Sequence, residues 1–412
     1  MCIRDSRCAV CRGTVPGFPL APFGRSVLSA IIADTAMIAE EPYALEDRWR
    51  ALIATCAFEE RQRILVVNAT KGPELYQSLA DFFLCWRSID PHVHVTSASY
   101  FSEIYELGRG LQARGFPTLP IDALARCTLR QLNLLDLIIC IGPSESFARL
   151  ASLEGLTARL VLLDLAFYHR LSAVADGRPL ETVQLASGAP VQNPVAGYSV
   201  QAAVKVVSDL ERMGIPPLTE QWTWQWLPYL PLGLSRHPTY RVTPPQLDVL
   251  ILGGKNRDFS LLDPADLEGL RILFLGKLDH ADQLRETYGH LDLTVRSKIP
   301  ADEYYRVIAA ARCVLIPFEY ARANCFLSGA DTLAAGTPLL ITRHVGSERL
   351  EALDAPIHFV DRDSLSATLA EVLSEDFDRD AHRARARQFC ADHIDIGAIL
   401  FRIVSDLSLI HI

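Results

Sequence analysis

Short apolar segments alternate with amphipathic helical segments along most of this chain, and the alternation occurs in two successive runs. Segments of strand length that are apolar throughout are typical of strands buried on both faces, as in a parallel sheet between layers of helices. The first run therefore predicts one such sheet with its covering helices. Its predicted strands are RILVVNA at 63–69, HVHVTSA at 92–98, LLDLIICIG at 134–142 and ARLVLLDLAF at 158–167.

The second run predicts another sheet of the same kind. Its strands are predicted at 247–254, 270–276, 291–296, 312–318, 337–342 and 357–360, with closing helices at 364–373 and 379–393. Between the runs we predict a helix over 199–213. The fold class is thus α/β, with two facing Rossmann-like domains, and their cleft is the expected place for ligands because parallel sheets bind them at the carboxyl ends of their strands.

A length of 412 residues suits two or three domains at about 150 residues each. We place an N-terminal domain at 60–235, a linker rich in proline at 236–246 and a C-terminal domain at 247–404. Residues 7–59 form a partly helical extension, with helices expected near 26–39 and 43–58. The first and last six residues, 1–6 and 407–412, back-translate to reverse-complementary strings, so we interpret both as adapter-derived scars and the chain as a fragment of a longer bacterial-type reading frame.

The composition excludes several classes of protein. Half of the residues are apolar, 22% are charged and the formal net charge is -9, which fits neither a disordered chain nor a basic nucleic-acid-binding surface. The ten cysteines are scattered except for Cys8 and Cys11, and no second pair follows at zinc-ribbon spacing. Scattered thiols and the lack of an apolar run of about 20 residues favour a cytoplasmic protein.

Several motifs of other α/β enzymes are missing from the sequence. There is no G-x-G-x-x-G after a strand, no G-x-x-x-x-G-K-[ST], no H-E-x-x-H and no G-x-S-x-G. These absences weigh against dinucleotide oxidoreductases, P-loop nucleotide hydrolases, zinc proteases and α/β-hydrolases.

The most informative segment is 299–348, IPADEYYRVIAAARCVLIPFEYARANCFLSGADTLAAGTPLLITRHVGSE. It resembles the donor-binding half of the GT-B glycosyltransferases, in particular the large retaining group that uses nucleotide sugars. That family has a helix, a strand ending in proline, a loop and a helix written E-A-M-A-x-G-x-P-V, here DTLAAGTPLL. Weaker similarity extends over most of residues 60–400.

The resemblance implies a donor site around the start of that last helix. The helix start near Ser328 and Gly329 would offer backbone N–H groups and a positive dipole end to a diphosphate. Asp331 occupies the position of the acidic residue that binds the nucleotide ribose in the family, although an Asp in the first turn of a helix is also a plain stabilising feature. The family's second acidic residue is replaced by Ala323, and Glu319 and Asn324 are nearby candidates for contacts with the donor sugar.

A second set of candidates follows the first strand of the C-terminal domain, in GGKNRD at 253–258. The family places basic residues in this loop to stabilise the departing diphosphate, so we assign Lys255 and Arg257 as catalytic, with Gly254 beside them. A charged loop can equally be solvated surface. Lys277, after the next strand, is a further donor-binding candidate. His169 is the third residue that we assign as catalytic, because it lies where many family members have a histidine facing the donor sugar, although this position also suits a merely packed histidine.

These assignments predict a metal-independent, retaining glycosyltransferase without a cofactor, because the nucleotide sugar is the substrate. Its expected partners are that donor and a sugar, glycan or lipid-linked acceptor, with no nucleic acid, and peripheral contact with the inner membrane face stays open. Two alternatives remain. One is a GT-B module that binds a sugar nucleotide or a partner protein without transfer, which Ala323 favours. The other is a sugar-nucleotide epimerase of the same fold, which needs further acid and base groups in the cleft.

Overall fold

The structure is a computed structural model that describes most of the chain from Met37 to Leu409. The described ranges are 37–40, 42–55, 61–68, 73–99, 112–124, 126–141, 150, 153, 155–164, 202–205, 223–226, 232–242, 245–253, 257–276, 286–297, 299–318, 327–344 and 347–409. Within the described part, no helix is long and apolar enough to cross a membrane.

The N-terminal extension contributes strand β1 (Met37–Ala39) and helix α1 (Glu46–Ile53). The helix predicted over 43–58 is confirmed in its central part. The helix predicted over 26–39 is wrong for its last three residues, which are extended and pair with a later strand. Backbone pairing with a distant segment decides the conformation of these residues, and the local periodicity of the sequence cannot predict such pairing.

The first sheet has seven described strands, all parallel, in the order β4-β3-β2-β5-β6-β7-β8. Its strands and the described helices between them confirm the predicted parallel α/β organisation. The residue bounds are β2 (Gln62–Asn68), α2 (Pro73–Ile89), β3 (Val93–Ser99), β4 (Thr118–Pro120), α3 (Ile121–Leu124), α4 (Leu129–Leu132), β5 (Leu137–Ile141), β6 (Arg159–Asp164), β7 (Ala202–Lys205) and β8 (Thr223–Trp226).

The helix predicted over 199–213 is wrong at Ala202–Lys205, because this segment is β7. It pairs in parallel with β6 on one side and β8 on the other. Alanine favours a helix only weakly, by a fraction of a kcal/mol per residue, so two flanking strands that satisfy both edges of the backbone outweigh it.

The segment between the two sheets is held by the N-terminal part of the chain. Strand β9 (Tyr240–Val242), inside the predicted linker, pairs antiparallel with β1. Just before it, a 3-10 turn at Leu234–Arg236 lies on α2, where Asp81 accepts hydrogen bonds from Ser235 Oγ at 2.9 Å and from Arg236 Nε at 2.7 Å. The connection is therefore fixed by hydrogen bonds on both sides.

The second sheet has six described parallel strands in the order β12-β11-β10-β13-β14-β15. It confirms the second predicted run, and β15 begins and ends where the sequence predicts. The bounds are β10 (Leu247–Gly253), β11 (Ile272–Gly276), β12 (Leu293–Arg296), α5 (Ala301–Ala310), β13 (Ala311–Ile316), α6 (Leu327–Ala335), β14 (Leu339–Thr342), α7 (Ser347–Ala352), β15 (Ile357–Val360), α8 (Leu365–Val372), α9 (Arg379–Phe389) and α10 (Ile396–Leu409).

The last helix returns to the first sheet. Phe82 on α2 is fully buried, and its ring centroid lies 5.6 Å from that of Trp49 on α1 and 6.3 Å from that of Phe401 on α10. A side chain at Gly397 would overlap the Phe82 ring, so this glycine lets α10 approach α2 closely. One apolar core thus joins the first, second and last described helices.

Asp395 immediately precedes α10 and is fully buried, close to the place where α1, α2 and α10 meet. Its Oδ2 accepts hydrogen bonds from Trp49 Nε1 at 2.8 Å and from the backbone N–H of Ala398 at 3.0 Å. Burial nevertheless dominates and raises the pKa of Asp395 from 3.8 to about 6, against the lowering effect of these hydrogen bonds. The folded protein therefore holds a proton here more tightly than the unfolded chain does.

We expect Asp395→Asn to remove a pH dependence of stability. A raised folded-state pKa gives stability that is complete below pH 3.8 and is lost as the pH rises through about 6. Relative to the Asn variant, the wild type should lose about 2 kcal/mol of unfolding free energy between pH 4 and pH 7, since each pKa unit corresponds to about 1.4 kcal/mol and the carboxyl of the unfolded chain is already partly ionised at pH 4. Urea unfolding at four pH values measures this difference. The exposed Asp376→Asn is the matched control, and parallel curves for wild type and Asp395→Asn would contradict the assignment.

Candidate active site at the carboxyl edge of the second sheet

The strand order of the second sheet creates a crevice at one defined place. Counted along the chain, its strands lie in the order 3-2-1-4-5-6, so the connections leave β10 and β13 in opposite directions. Ligands of open parallel sheets bind at such a switch point, outside the carboxyl ends of the two strands. The residues that follow β10 and β13 therefore define the candidate site.

Arg257 lies at this switch point, four residues after the end of β10. Its Nε donates a hydrogen bond to the backbone oxygen of Leu252 at 3.0 Å, and its guanidinium lies 4.4 Å from the ring centroid of Phe318, just after β13. The backbone at Arg257 and Phe318 forms an antiparallel bridge. The side chain is half-buried and spans the two strand ends. A guanidinium fixed in this way suits an anionic group such as a diphosphate.

Two glycines at the adjacent strand ends bring β10 and β11 close together. Gly253 and Gly276 are register partners at the last positions of these strands. A Cβ at Gly276 would overlap the backbone oxygen of Gly253, and a Cβ at Gly253 would overlap the ring of Phe274. Only glycine fits this approach, so the edge beside Arg257 presents backbone instead of side chains.

Phe318 and His344 are site residues that the sequence did not single out. The Phe318 ring centroid lies 4.4 Å from that of His344, which follows β14 and is buried. The Nδ1 of His344 is 3.2 Å from Ser347 Oγ and 3.3 Å from the backbone oxygen of Thr342. The one available signal was position: Thr342 and His344 are polar residues at the carboxyl end of a buried strand.

Helix α6 begins at the same edge, after the segment that follows β13. Ser328 and Gly329 lie in its first turn, as predicted, with Ser328 half-buried and Gly329 buried. The first four N–H groups of a helix have no partner within it, and the dipole makes this end positive. The start of α6 and Arg257 thus offer two kinds of anion contact at one edge of the sheet.

Asp331 is buried, with 2% of its surface exposed, and Oδ1 lies 3.3 Å from Nε2 of the buried His237. His237 follows the 3-10 turn that lies on α2, and its ring packs edge-on against Tyr305, with the centroids 4.8 Å apart. Because α6 starts at Leu327, Asp331 falls in its second turn, so the alternative of a first-turn charge on the helix dipole is wrong. A direct contact between Asp331 and a ribose stays a prediction.

Six predicted site residues lie outside the described part of the chain. They are His169, Gly254, Lys255, Lys277, Glu319 and Asn324, and Ala323 lies outside it as well. Within the described ranges, no three His, Cys, Asp or Glu side chains are grouped so that they could hold a metal ion. The described members of the site are therefore Arg257, Ser328, Gly329 and Asp331, with Phe318 and His344 added by the structure.

Comparisons with known proteins give structural similarity only. No protein-family model and no curated protein sequence matches the chain. A glycosyltransferase from Rickettsia africae ESF-5 is 8% identical with a TM-score of 0.49, over 84% of this chain and 97% of that chain. HepE from Anabaena, solved with UDP and glucose, is 12% identical with a TM-score of 0.49, over 84% and 100%. Sucrose-phosphate synthase from Thermosynechococcus elongatus is 14% identical with a TM-score of 0.48, over 85% and 99%.

Proposed function

We propose that this protein is a glycosyltransferase of GT-B architecture that moves a sugar from a nucleotide-sugar donor to an acceptor. The observation that carries the proposal is Arg257, fixed across the switch point between β10 and β13 and facing the same edge as the start of α6. This is the place where an open parallel sheet binds a ligand, and the groups there suit a diphosphate. The motif in residues 299–348 supports the same assignment, because it resembles the donor-binding half of that family.

In the proposed mechanism, the donor diphosphate lies against the N-terminal turn of α6, at Ser328 and Gly329. Negative charge grows on the leaving diphosphate as the bond to the sugar breaks, and Arg257 stabilises it together with Lys255. The reaction is metal-independent and retains the configuration at the transferred carbon. The acceptor enters from the side of the first sheet, and closure of the two domains excludes water, which limits hydrolysis of the donor.

Asp331 also supports this site through His237, while its direct contact with a ribose stays a prediction. His237 connects Asp331 through the 3-10 turn at Leu234–Arg236 to Asp81 on α2. This chain of contacts runs from the first sheet to the helix that begins at the donor site. In this proposal, Asp331 and His237 fix the position of α6 relative to the linker.

Calorimetric titration with UDP, GDP and ADP tests the proposal. We expect saturable binding of one of these nucleotides, and binding that is weaker by about tenfold in Arg257→Gln, because one charge-assisted contact is lost. Binding of none of the three by the folded protein would contradict the donor site. Binding without transfer or hydrolysis of any nucleotide sugar would favour the non-catalytic module, the alternative that Ala323 favours.

A further inference from the structure

A second concave site lies between the N-terminal extension, β9 and α9, away from the carboxyl edge of the second sheet. It is a cavity of about 650 Å³, within the size range of small-molecule sites. We call it the arginine pocket, defined by Glu40, Tyr43, Arg48, Arg241, Arg383 and Arg387. Nothing in the proposed transfer reaction uses these residues.

The charges of the arginine pocket do not balance. One carboxylate oxygen, Glu40 Oε2, accepts hydrogen bonds from both Arg383 Nη2 at 2.6 Å and Arg387 Nη1 at 2.9 Å. Arg241 pairs with Asp380 at 2.8 Å, and Arg48 lies 3.1 Å from Asp392 without forming a hydrogen bond. Among the residues that the structure describes, four guanidinium groups thus face three carboxylates, which leaves one positive charge in excess.

The pocket also has more hydrogen-bond donors than acceptors. A guanidinium carries five N–H groups. In the described part of the chain, the Arg387 side chain uses only Nη1 and that of Arg241 only Nη2 in hydrogen bonds. The remaining N–H groups of these arginines suit an anionic ligand that supplies several oxygen acceptors.

Two of the four arginines, Arg383 and Arg387, are held in place before any ligand arrives. The guanidinium of Arg387 lies 4.3 Å from the ring centroid of Tyr43, whose hydroxyl donates to the backbone oxygen of Ala334 at 2.8 Å. Arg383 passes over Gly336, where φ is +71° and a Cβ would overlap its side chain. Preorganised side chains lose little entropy when they bind, which favours recognition of a small ligand.

We propose that the arginine pocket binds a soluble phosphomonoester. A phosphate group offers three oxygens to the unused N–H groups, and guanidinium forks bind it in a bidentate manner. Its charge of close to two negative units matches the pocket once Glu40 is displaced, because the four guanidinium groups then face two carboxylates. Glu40 occupies part of the guanidinium surface and competes with the ligand. The site is distinct from the donor site, because Tyr43 contacts α6 at Ala334, six residues or about 9 Å along the helix from Ser328.

Calorimetric titration of the full chain with inorganic phosphate and with glucose 6-phosphate tests this inference. We expect saturable binding by the wild type, affinity raised about tenfold in Glu40→Gln, which removes the competing charge, and lowered about tenfold in Arg387→Gln. Arg385→Gln is the matched control, since Arg385 lies on the same helix and pairs with Asp354 outside the pocket. Arg257→Gln should also leave the affinity unchanged, which separates this pocket from the donor site.

The inference would be overturned if the folded wild type binds neither probe at up to about 20 mM. It would also be overturned if Glu40→Gln, Arg387→Gln and Arg385→Gln bind with equal affinity. Binding by Glu40→Gln alone would overturn it as well, because Glu40 would then occupy the site permanently in the wild type. Binding only to phosphatidylcholine vesicles that contain phosphatidate, and to neither soluble probe, would also overturn it in favour of a lipid headgroup. Thermal unfolding of each variant confirms that the titrated protein is folded.

Discussion

Arg257→Gln should lower the turnover of the nucleotide sugar by about 100- to 1,000-fold, as expected for loss of one fixed group that stabilises developing charge. The effect is large because the guanidinium is held by Leu252 and Phe318 and needs no rearrangement as charge develops on the diphosphate. Release of nucleoside diphosphate from the donor, with or without an added acceptor, measures it. Arg257→Lys keeps the charge but not the planar fork, so we expect it to recover only part of the lost rate.

Arg271→Gln is the matched control for this prediction. Arg271 lies at the opposite, amino edge of the same sheet, where it forms an ion pair with Asp248 at 3.1 Å. Its loss should affect stability without a specific effect on turnover by the folded protein. Equal losses of turnover in the two variants would show that Arg257 acts through the stability of the sheet and not at the site.

Phe82→Ala should destabilise the protein by about 3 to 5 kcal/mol, the usual cost of deleting a buried aromatic ring. The ring is fully buried and contacts Trp49, Trp86 and Phe401. These neighbours are buried too, so none of them can fill the space left by the ring unless a helix moves. The cavity would lie where α1, α2 and α10 meet. Equilibrium unfolding in urea at fixed pH measures the change in unfolding free energy.

Leu134→Ala serves as the control for this prediction, because the Leu134 side chain is 58% exposed. It should change the unfolding free energy by less than about 0.5 kcal/mol. A loss below about 1 kcal/mol in Phe82→Ala would contradict the joint core of the three helices and with it the return of the last helix to the first sheet.

The strands of the second sheet could be predicted from the sequence because burial on both faces leaves a continuous apolar run. Leu247–Gly253 is one such strand: it is buried at every position, and the predicted range of 247–254 exceeds it by one residue. The strand at Ala202–Lys205 could not be predicted, because its alanines fit a helix locally and its two partners are distant in the chain. The local sequence pattern thus predicts the burial of a strand well and its pairing with other strands poorly.

The candidate site shows the same division. Arg257 and the start of α6 could be predicted because each follows a recognisable strand. The contact of Arg257 with Phe318 depends on which strands are neighbours, and the pairing of His237 with Asp331 joins residues 94 positions apart. Contacts of this kind follow from sheet order, which a single sequence does not state.

The most direct test of the central claim is hydrogen exchange of the backbone amides with and without a nucleoside diphosphate. If the diphosphate binds at the switch point, amide exchange should slow in the peptide that contains Leu327–Ala335 and in the peptide that contains Arg257, while the peptide that contains Gln62–Asn68 should not change. Arg257→Gln should reduce the protection at the same nucleotide concentration. Saturating nucleotide that leaves both peptides of the second sheet unchanged, or protects only the first sheet, would contradict the donor site placed here.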